Sequence, residues 1–130
     1  MSNFTQNEIE YLGSGLLGRV ATVGSDGTPH IAPVGMISYN AQLDTIDVGG
    51  HDLANTKKFR DVVRSGRAAL VVDDLASTDP WRPRGIEVRG RAKAVEEPQP
   101  VIRIHPKRIV AWGIDTGGFR RNSRSVGVVG

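Results

Sequence analysis

The segment from residue 85 to residue 95 constrains this chain most. Ile86, Val88, Ala92 and Ala94 alternate there with Glu87, Arg89, Arg91 and Lys93. Successive side chains of a strand point to opposite faces, so one face of this strand is apolar and the other charged. A half-wet strand of this kind belongs to an antiparallel sheet, because parallel sheets are covered on both faces. Gly90 interrupts the apolar row and marks a bend or bulge.

Shorter strands and turns surround it. Residues 19–23 and 67–72 read as strands. Between the first of these and a long extended stretch at 28–39 lies Gly24-Ser25-Asp26-Gly27, a turn with an Asp-Gly hairpin signal. Pro29 and Pro33 confine that stretch to an edge or a bulge. The chain turns at 40–42 and returns at 43–48. Pro80 and Pro83 make 73–84 a loop. Residues 101–104 and 108–112 are two strands, or one strand broken at Pro106. The Gly-rich segment 117–130 has no readable period.

Two helices are legible. Thr5 and Glu8 form a capping box for a short helix over 6–12. Leu53, Phe59, Val62 and Val63 give 55–65 an apolar face at helical spacing, with Asn55 or Thr56 as cap and Gly66 as stop. The expected fold is mainly β (α+β): a split antiparallel β-barrel of roughly six to seven strands, one main helix and a short N-terminal helix. Closure removes exposed edges. A chain of 130 residues makes one domain, spanning 1–130, with 116–130 an irregular basic tail.

Composition excludes several kinds of chemistry. The absence of cysteine rules out disulfides and thiolate ligands. His30, His51 and His105 are far apart, so no metal site and no hydrolytic triad is expected. No glycine set follows the Rossmann pattern. Aromatic residues are only 5%, too few for the stacking platforms of a nucleic-acid binder. The longest apolar run, Ala68 to Val72, is far short of a membrane span, and no signal peptide is visible. A cytoplasmic location is the expectation.

Charge is uneven. Residues 1–50 hold one base against five acids, and residues 101–130 hold six bases against one acid. That imbalance favours an anionic ligand near the C-terminus, although solvated surface arginines would look the same. Asn55-Thr56-Lys57-Lys58 opens the main helix with free amides, a hydroxyl and two ammonium groups. Gly49 and Gly50 upstream let backbone approach a ligand closely. These residues suit a phosphate, and equally a capped helix with solvated lysines. Trp81 with Arg82, and Trp112 with Arg120, Arg121 and Arg124, can stack on and pair with a flat anion.

Taken in order, these segments resemble one family. Arg19 to Val23, Asp26 to His30 and Pro33-Val34 look like the opening hairpin of the pyridoxamine 5'-phosphate oxidase-like split β-barrel flavoproteins. Asn55 to Lys58 followed by Arg67 to Asp74 resembles their phosphate-binding helix and next strand. Gly85 to Ala92 resembles their long central strand, and Arg103 to Gly113 is similar to the C-terminal segment of the F420-dependent branch.

The resemblance implies an F420-dependent oxidoreductase that moves a hydride between the deazaflavin and a small organic substrate. An FMN enzyme of the same fold and a non-catalytic flavin or haem carrier are the alternatives. It also implies a homodimer with cofactors in shared grooves, and neither a nucleic-acid nor a membrane partner. Ile31, Ala32, Pro33, Val34, Gly35 and Met36 would flank the ring system, with Val48, Gly49 and Gly50 touching it. Thr56 and Lys57 would bind the phosphate, beside Asn55 and Lys58. Trp81, Arg82 and Trp112 would reach in from the partner chain. No side chain stands out as a catalytic acid or base.

Overall fold

A computed structural model describes residues 2–117 and 119–127. The chain runs α1 (Gln6–Leu12), β1 (Gly18–Val23), β2 (Pro29–Val34), β3 (Met36–Asn40), β4 (Thr45–Gly49), a 3-10 turn (Leu53–Asn55), α2 (Lys57–Ser65), β5 (Arg67–Thr78), β6 (Trp81–Val95), β7 (Val101–Trp112) and β8 (Arg121–Ser125). The strands form one antiparallel sheet in the order β2-β1-β5-β6-β7-β4-β3. It curls into the expected split barrel, with β2 and β3 at the two ends of that order. Both prolines of the 28–39 stretch therefore lie on an edge strand, and the stretch divides at Gly35.

The alternation of β6 is obeyed. Ile86 and Val88 are fully buried and Ala92 is buried, while Arg89, Arg91 and Lys93 are exposed. Leu70 and Val72 of β5 and Ile102, Ile104 and Ile109 of β7 join the same core. On α2, Phe59 and Val62 are buried in that cluster, whereas Val63, expected on the same face, is 68% exposed and Asp61 is buried in its stead. Thr56 caps α2 by accepting from the Phe59 amide, and Gly66 stops it at φ 67°, where a side chain would be strained. The capping box of α1 forms as expected, with Thr5 and Glu8 bonded in both directions.

Three expectations are corrected. Residues 73–84 are no loop: β5 and β6 stay paired out to Thr78 and Trp81 and form a projecting arm. Since β7 ends opposite Gly85, β6 has a free edge beyond that point. A proline there removes no ladder bond, so Pro83 is tolerated in the strand. Second, β7 runs unbroken through Pro106, because the register slips by one residue where Pro106 meets Gly90. This is the bulge that Gly90 marks. Third, the tail is not irregular throughout: Arg121–Ser125 pairs with Trp112 to Arg108 of β7 as an additional strand. Residues 118 and 128–130 of that tail lie outside the described residues.

β8 and β4 share one edge of β7. β4 takes Ile102 to Ile104 and β8 takes Arg108 to Trp112. Among the described residues, no helix is long and apolar enough to cross a membrane.

Ion pairs tie distant strands together. Arg103 on β7 grips Asp47 on β4 with two hydrogen bonds of 3.0 Å. Arg84 grips Asp74 at the base of the arm at 2.7 and 3.0 Å, and the Tyr11 hydroxyl donates to the same carboxylate at 2.8 Å. Burial alone would raise the Asp47 carboxyl, but Arg103, Asn40 and Thr45 outweigh it and hold it below the usual range. For Asp74 the Arg84 hydrogen bond is the leading cause of the same downward shift. A carboxyl whose pKa is lower folded than unfolded stabilises the fold above its unfolded value and loses that contribution as pH falls. Resistance to urea is therefore expected to hold above about pH 5 and to decline below about pH 4, where these carboxyls begin to take up protons. Urea midpoints across that range check this, and a midpoint that stays level down to about pH 2 would contradict it.

Candidate functional site

Four of the nine residues expected around a ring system lie at one groove. Gly35, Met36, Gly49 and Gly50 line it with Ile37, Asp47 and Pro100, in a volume of about 650 Å³. Antiparallel pairing places Met36 opposite Gly49, so β3 and β4 present both segments together. A side chain at Gly49 would stand 3.5 Å from the Met36 Cβ, and one at Gly50 would stand 3.6 Å from Leu53. These are ordinary contact distances; the two glycines simply leave this stretch of wall as bare backbone. The size is typical of cofactor clefts. Of the other ring candidates, Val34 and Val48 are buried in the core, while Ile31 and Pro33 are exposed and Ala32 is half-buried on β2.

After Gly50 the chain passes through the 3-10 turn Leu53–Asn55 before α2, the helix expected to hold phosphate. The Thr56 hydroxyl is already committed: it accepts from the Phe59 amide at 3.3 Å and donates to the Leu53 carbonyl at 2.6 Å. The Asn55 side chain donates to Asp52 at 2.8 Å. First-turn amides, those of Lys57 and Lys58, have no partner within the helix. The Lys57 ammonium sits 3.0 Å from the Asp61 carboxylate, one turn along α2.

Asp61 is the residue that sequence reasoning missed. Its side chain is 2% exposed, yet it accepts from Lys57, from Arg64 at 3.0 Å and from the Thr22 hydroxyl at 2.8 Å. His30 stands 3.9 Å away on β2. Burial would raise the Asp61 carboxyl, but the Lys57 and Thr22 hydrogen bonds outweigh it and lower it. Two cations on one carboxylate leave a net positive charge here. Arg64 and Thr22 bond Asp61 independently of Lys57. The four-residue spacing of Lys57 and Asp61 signals their pairing in the sequence; nothing there links either to Thr22 or His30.

The remaining candidates lie elsewhere. Trp81 and Arg82, at the tip of the arm, line a separate cleft of about 450 Å³ with Pro80, Gly113 and Thr116. Trp112 packs at the arm's base, where a Cβ on Gly85 would stand 2.4 Å from its ring. Within one chain these residues do not join the Gly35–Gly50 groove. Arg124 is corrected as a ligand-binding candidate. Its guanidinium pairs with the buried Glu8 of α1 and donates to the Asn3 carbonyl at 2.9 Å. Arg120 and Arg121 remain exposed.

Residues 7–127 match the sequence profile of the family described as pyridoxamine 5'-phosphate oxidase. The chain belongs to the pyridoxamine 5'-phosphate oxidase family. It is 42% identical over 121 residues to a 5a,11a-dehydrotetracycline/5a,11a-dehydrooxytetracycline reductase of Streptomyces rimosus, covering 86% of this chain and 84% of the relative. An oxidase family and a reductase relative place the chain with oxidoreductases. Two solved structures show the same fold. A conserved hypothetical protein from Mycobacterium tuberculosis superposes with a TM-score of 0.70 at 22% identity, over 97% of this chain and 94% of the other. An FAD binding protein from Mycobacterium smegmatis gives 0.61 at 20% identity, over 95% and 100%.

Proposed function

We propose that this chain is an F420-dependent oxidoreductase of the cytoplasm, transferring a hydride between the deazaflavin and a small organic substrate. The observation that carries this reading is the groove at Gly35, Met36, Gly49 and Gly50, whose wall at the glycines is bare backbone. F420 supplies the hydride chemistry when bound; the chain orients the cofactor and shields it from water. Lys57 and the free amides of α2 suit its phosphate. The relative's name describes reduction of a 5a,11a-dehydro compound, which supports an unsaturated small molecule as substrate. FMN fits the same groove and is the competing cofactor.

Equilibrium binding to the cofactor-free protein, with mass spectrometry of any cofactor that copurifies, separates the two. F420 is expected to bind more tightly. Tighter binding of FMN would overturn the F420 assignment.

Lys57→Ala is expected to weaken binding of either cofactor by about 1.5–3 kcal/mol, the range for hydrogen bonds to a charged group. Its melting temperature should stay near wild type, because Arg64 and Thr22 still satisfy Asp61. Unchanged dissociation constants would remove the phosphate role.

The reading includes a homodimer with shared grooves. Leu17, Ile31 and Met36 are 57%, 66% and 60% exposed, an apolar patch beside the groove that a second copy would cover. Trp81 and Arg82 would then reach the groove of the partner. Sedimentation is expected to show a dimer, and dilution into monomer should lower cofactor affinity. A monomer that binds cofactor tightly would contradict this.

A further inference from the structure

A third cleft, of about 480 Å³, lies on the outer face of the sheet and shares no residue with the Gly35–Gly50 groove. Ala21, Val23, Pro29 and Ala69 form its apolar part. Arg67, Arg89, Arg91, Lys107 and Arg108 also line it, with Thr22, Ala68 and Gly90 between them. The strand register makes this cationic group unusual. Arg67 stands directly opposite Arg91 across β5 and β6, and Arg89 stands directly opposite Arg108 across β6 and β7. Like charges facing each other across a sheet oppose folding. The bulge at Gly90 adds Lys107 to the same rim.

Counter-charge is scarce. Arg89 reaches Glu87 at 3.3 Å, on the surface. Arg108 donates to the hydroxyls of Ser123 and Ser125, which carry no charge. Among the described residues, no carboxylate pairs with Arg67, Arg91 or Lys107. The field is felt nearby: burial first, and then Arg91, Arg103 and Lys93, hold the His105 imidazole below its usual range, against the pull of Asp47. Of the two opposed arginine pairs, Arg67 and Arg91 have no carboxylate partner among the described residues, and in the other pair Glu87 offsets Arg89 alone.

We propose that this face is a binding site for a small molecule that carries neighbouring carboxylate or phosphate groups on an apolar body. Arginine forks suit either group in bidentate geometry. Arg89 and Arg91, two residues apart on β6, lie about 7 Å from each other along the strand, so the ligand's anionic groups must be spaced rather than single. The apolar side of the cleft takes the body of the ligand. No aromatic residue lines the cleft, so it lacks the stacking platform that single-stranded nucleic acid uses. This inference rests on sheet register and charge; because Thr22, which bonds Asp61 of the Lys57 cluster, also lines the cleft, competition with FMN is what separates the two sites.

The test uses the full chain with benzene-1,3,5-tricarboxylate, citrate and tripolyphosphate as probes, at constant ionic strength set with sodium chloride. Calorimetry is expected to detect benzenetricarboxylate, with citrate weaker because it lacks the ring. Whether tripolyphosphate or benzenetricarboxylate binds more tightly identifies the preferred anionic group. Arg67→Gln and Arg91→Gln should each weaken the best probe about tenfold or more, the loss of one charge-assisted contact. Each should also leave the melting temperature of the free protein unchanged or higher, since each removes a repulsion. A merely structural arginine would lower it. Saturating FMN should leave the probe response intact.

Full probe binding in both variants would overturn the site, as would a melting temperature that falls in both. Equal affinity for citrate and benzenetricarboxylate would overturn the apolar half. Loss of the response with FMN would place the anion in the cofactor groove and overturn a second site. A short oligonucleotide that binds more tightly than every probe would overturn the small-molecule assignment.

Discussion

Arg124→Ala is expected to destabilise the protein by about 3 kcal/mol, the loss typical when one partner of a buried ion pair is removed. Glu8 has no exposed side-chain surface, and both its oxygens accept from Arg124. Among the described residues its one other side-chain hydrogen bond comes from the Thr5 amide at 2.9 Å, part of the α1 cap. Without Arg124 a buried carboxylate loses its counter-charge. The Asn3 carbonyl loses a donor, and β8 loses its tie to α1. Urea unfolding measures the loss directly. Adding Glu8→Gln to Arg124→Ala should recover part of it, because glutamine keeps the capping acceptor and carries no charge. Removal of residues 118–130 should destabilise at least as much, because it takes Arg124 and β8 away together. A loss under about 1 kcal/mol for Arg124→Ala, the scale of a surface pair, would mean that the pair is solvated.

Gly90→Ala should be comparably damaging. A Cβ at that position would stand 2.0 Å from the His105 carbonyl oxygen and 2.9 Å from the Lys107 amide. Both are backbone atoms of the neighbouring strand, so no rotamer change relieves the contact. β6 and β7 must separate at the bulge, where the register between them shifts. Overpacking a well-packed site costs about 1–3 kcal/mol, and a clash against backbone belongs at the upper end. The urea midpoint is expected to fall sharply, or the protein to accumulate insoluble. Gly117→Ala is the control, since nothing lies within 4 Å of a Cβ there. Equal midpoints for the two variants would show that the bulge opens freely.

Both residues show how unevenly structure is written into this chain. The two-residue period of β6, the Thr5 and Glu8 capping box, the Asp26-Gly27 turn and the apolar face of α2 are local patterns. Each specifies its element from neighbours within a few residues, so each was legible. The edge placement of Pro29 and Pro33 was legible too, because a missing amide hydrogen restricts where a strand can sit. The family resemblance rested on the order of these local pieces.

Other features depend on partners far along the chain. The arm at 73–84 carries prolines that read as a loop, and it became a hairpin because β7 stops opposite Gly85. The strand at Arg121–Ser125 has no apolar period at all. It exists because β7 offers an unpaired edge beyond β4, and because Arg124 reaches Glu8 across 116 residues of sequence. The opposed arginines of β5, β6 and β7 are ordinary surface residues until register sets them face to face. Asp61 reads as the outward partner of Lys57 on a helix, and only packing against β1 buries it beneath Thr22. Sequence by itself determined the elements whose stabilising contacts are local. Tertiary structure decided every charge pairing between strands, because a side chain's partner across a sheet is set by register and not by spacing along the chain.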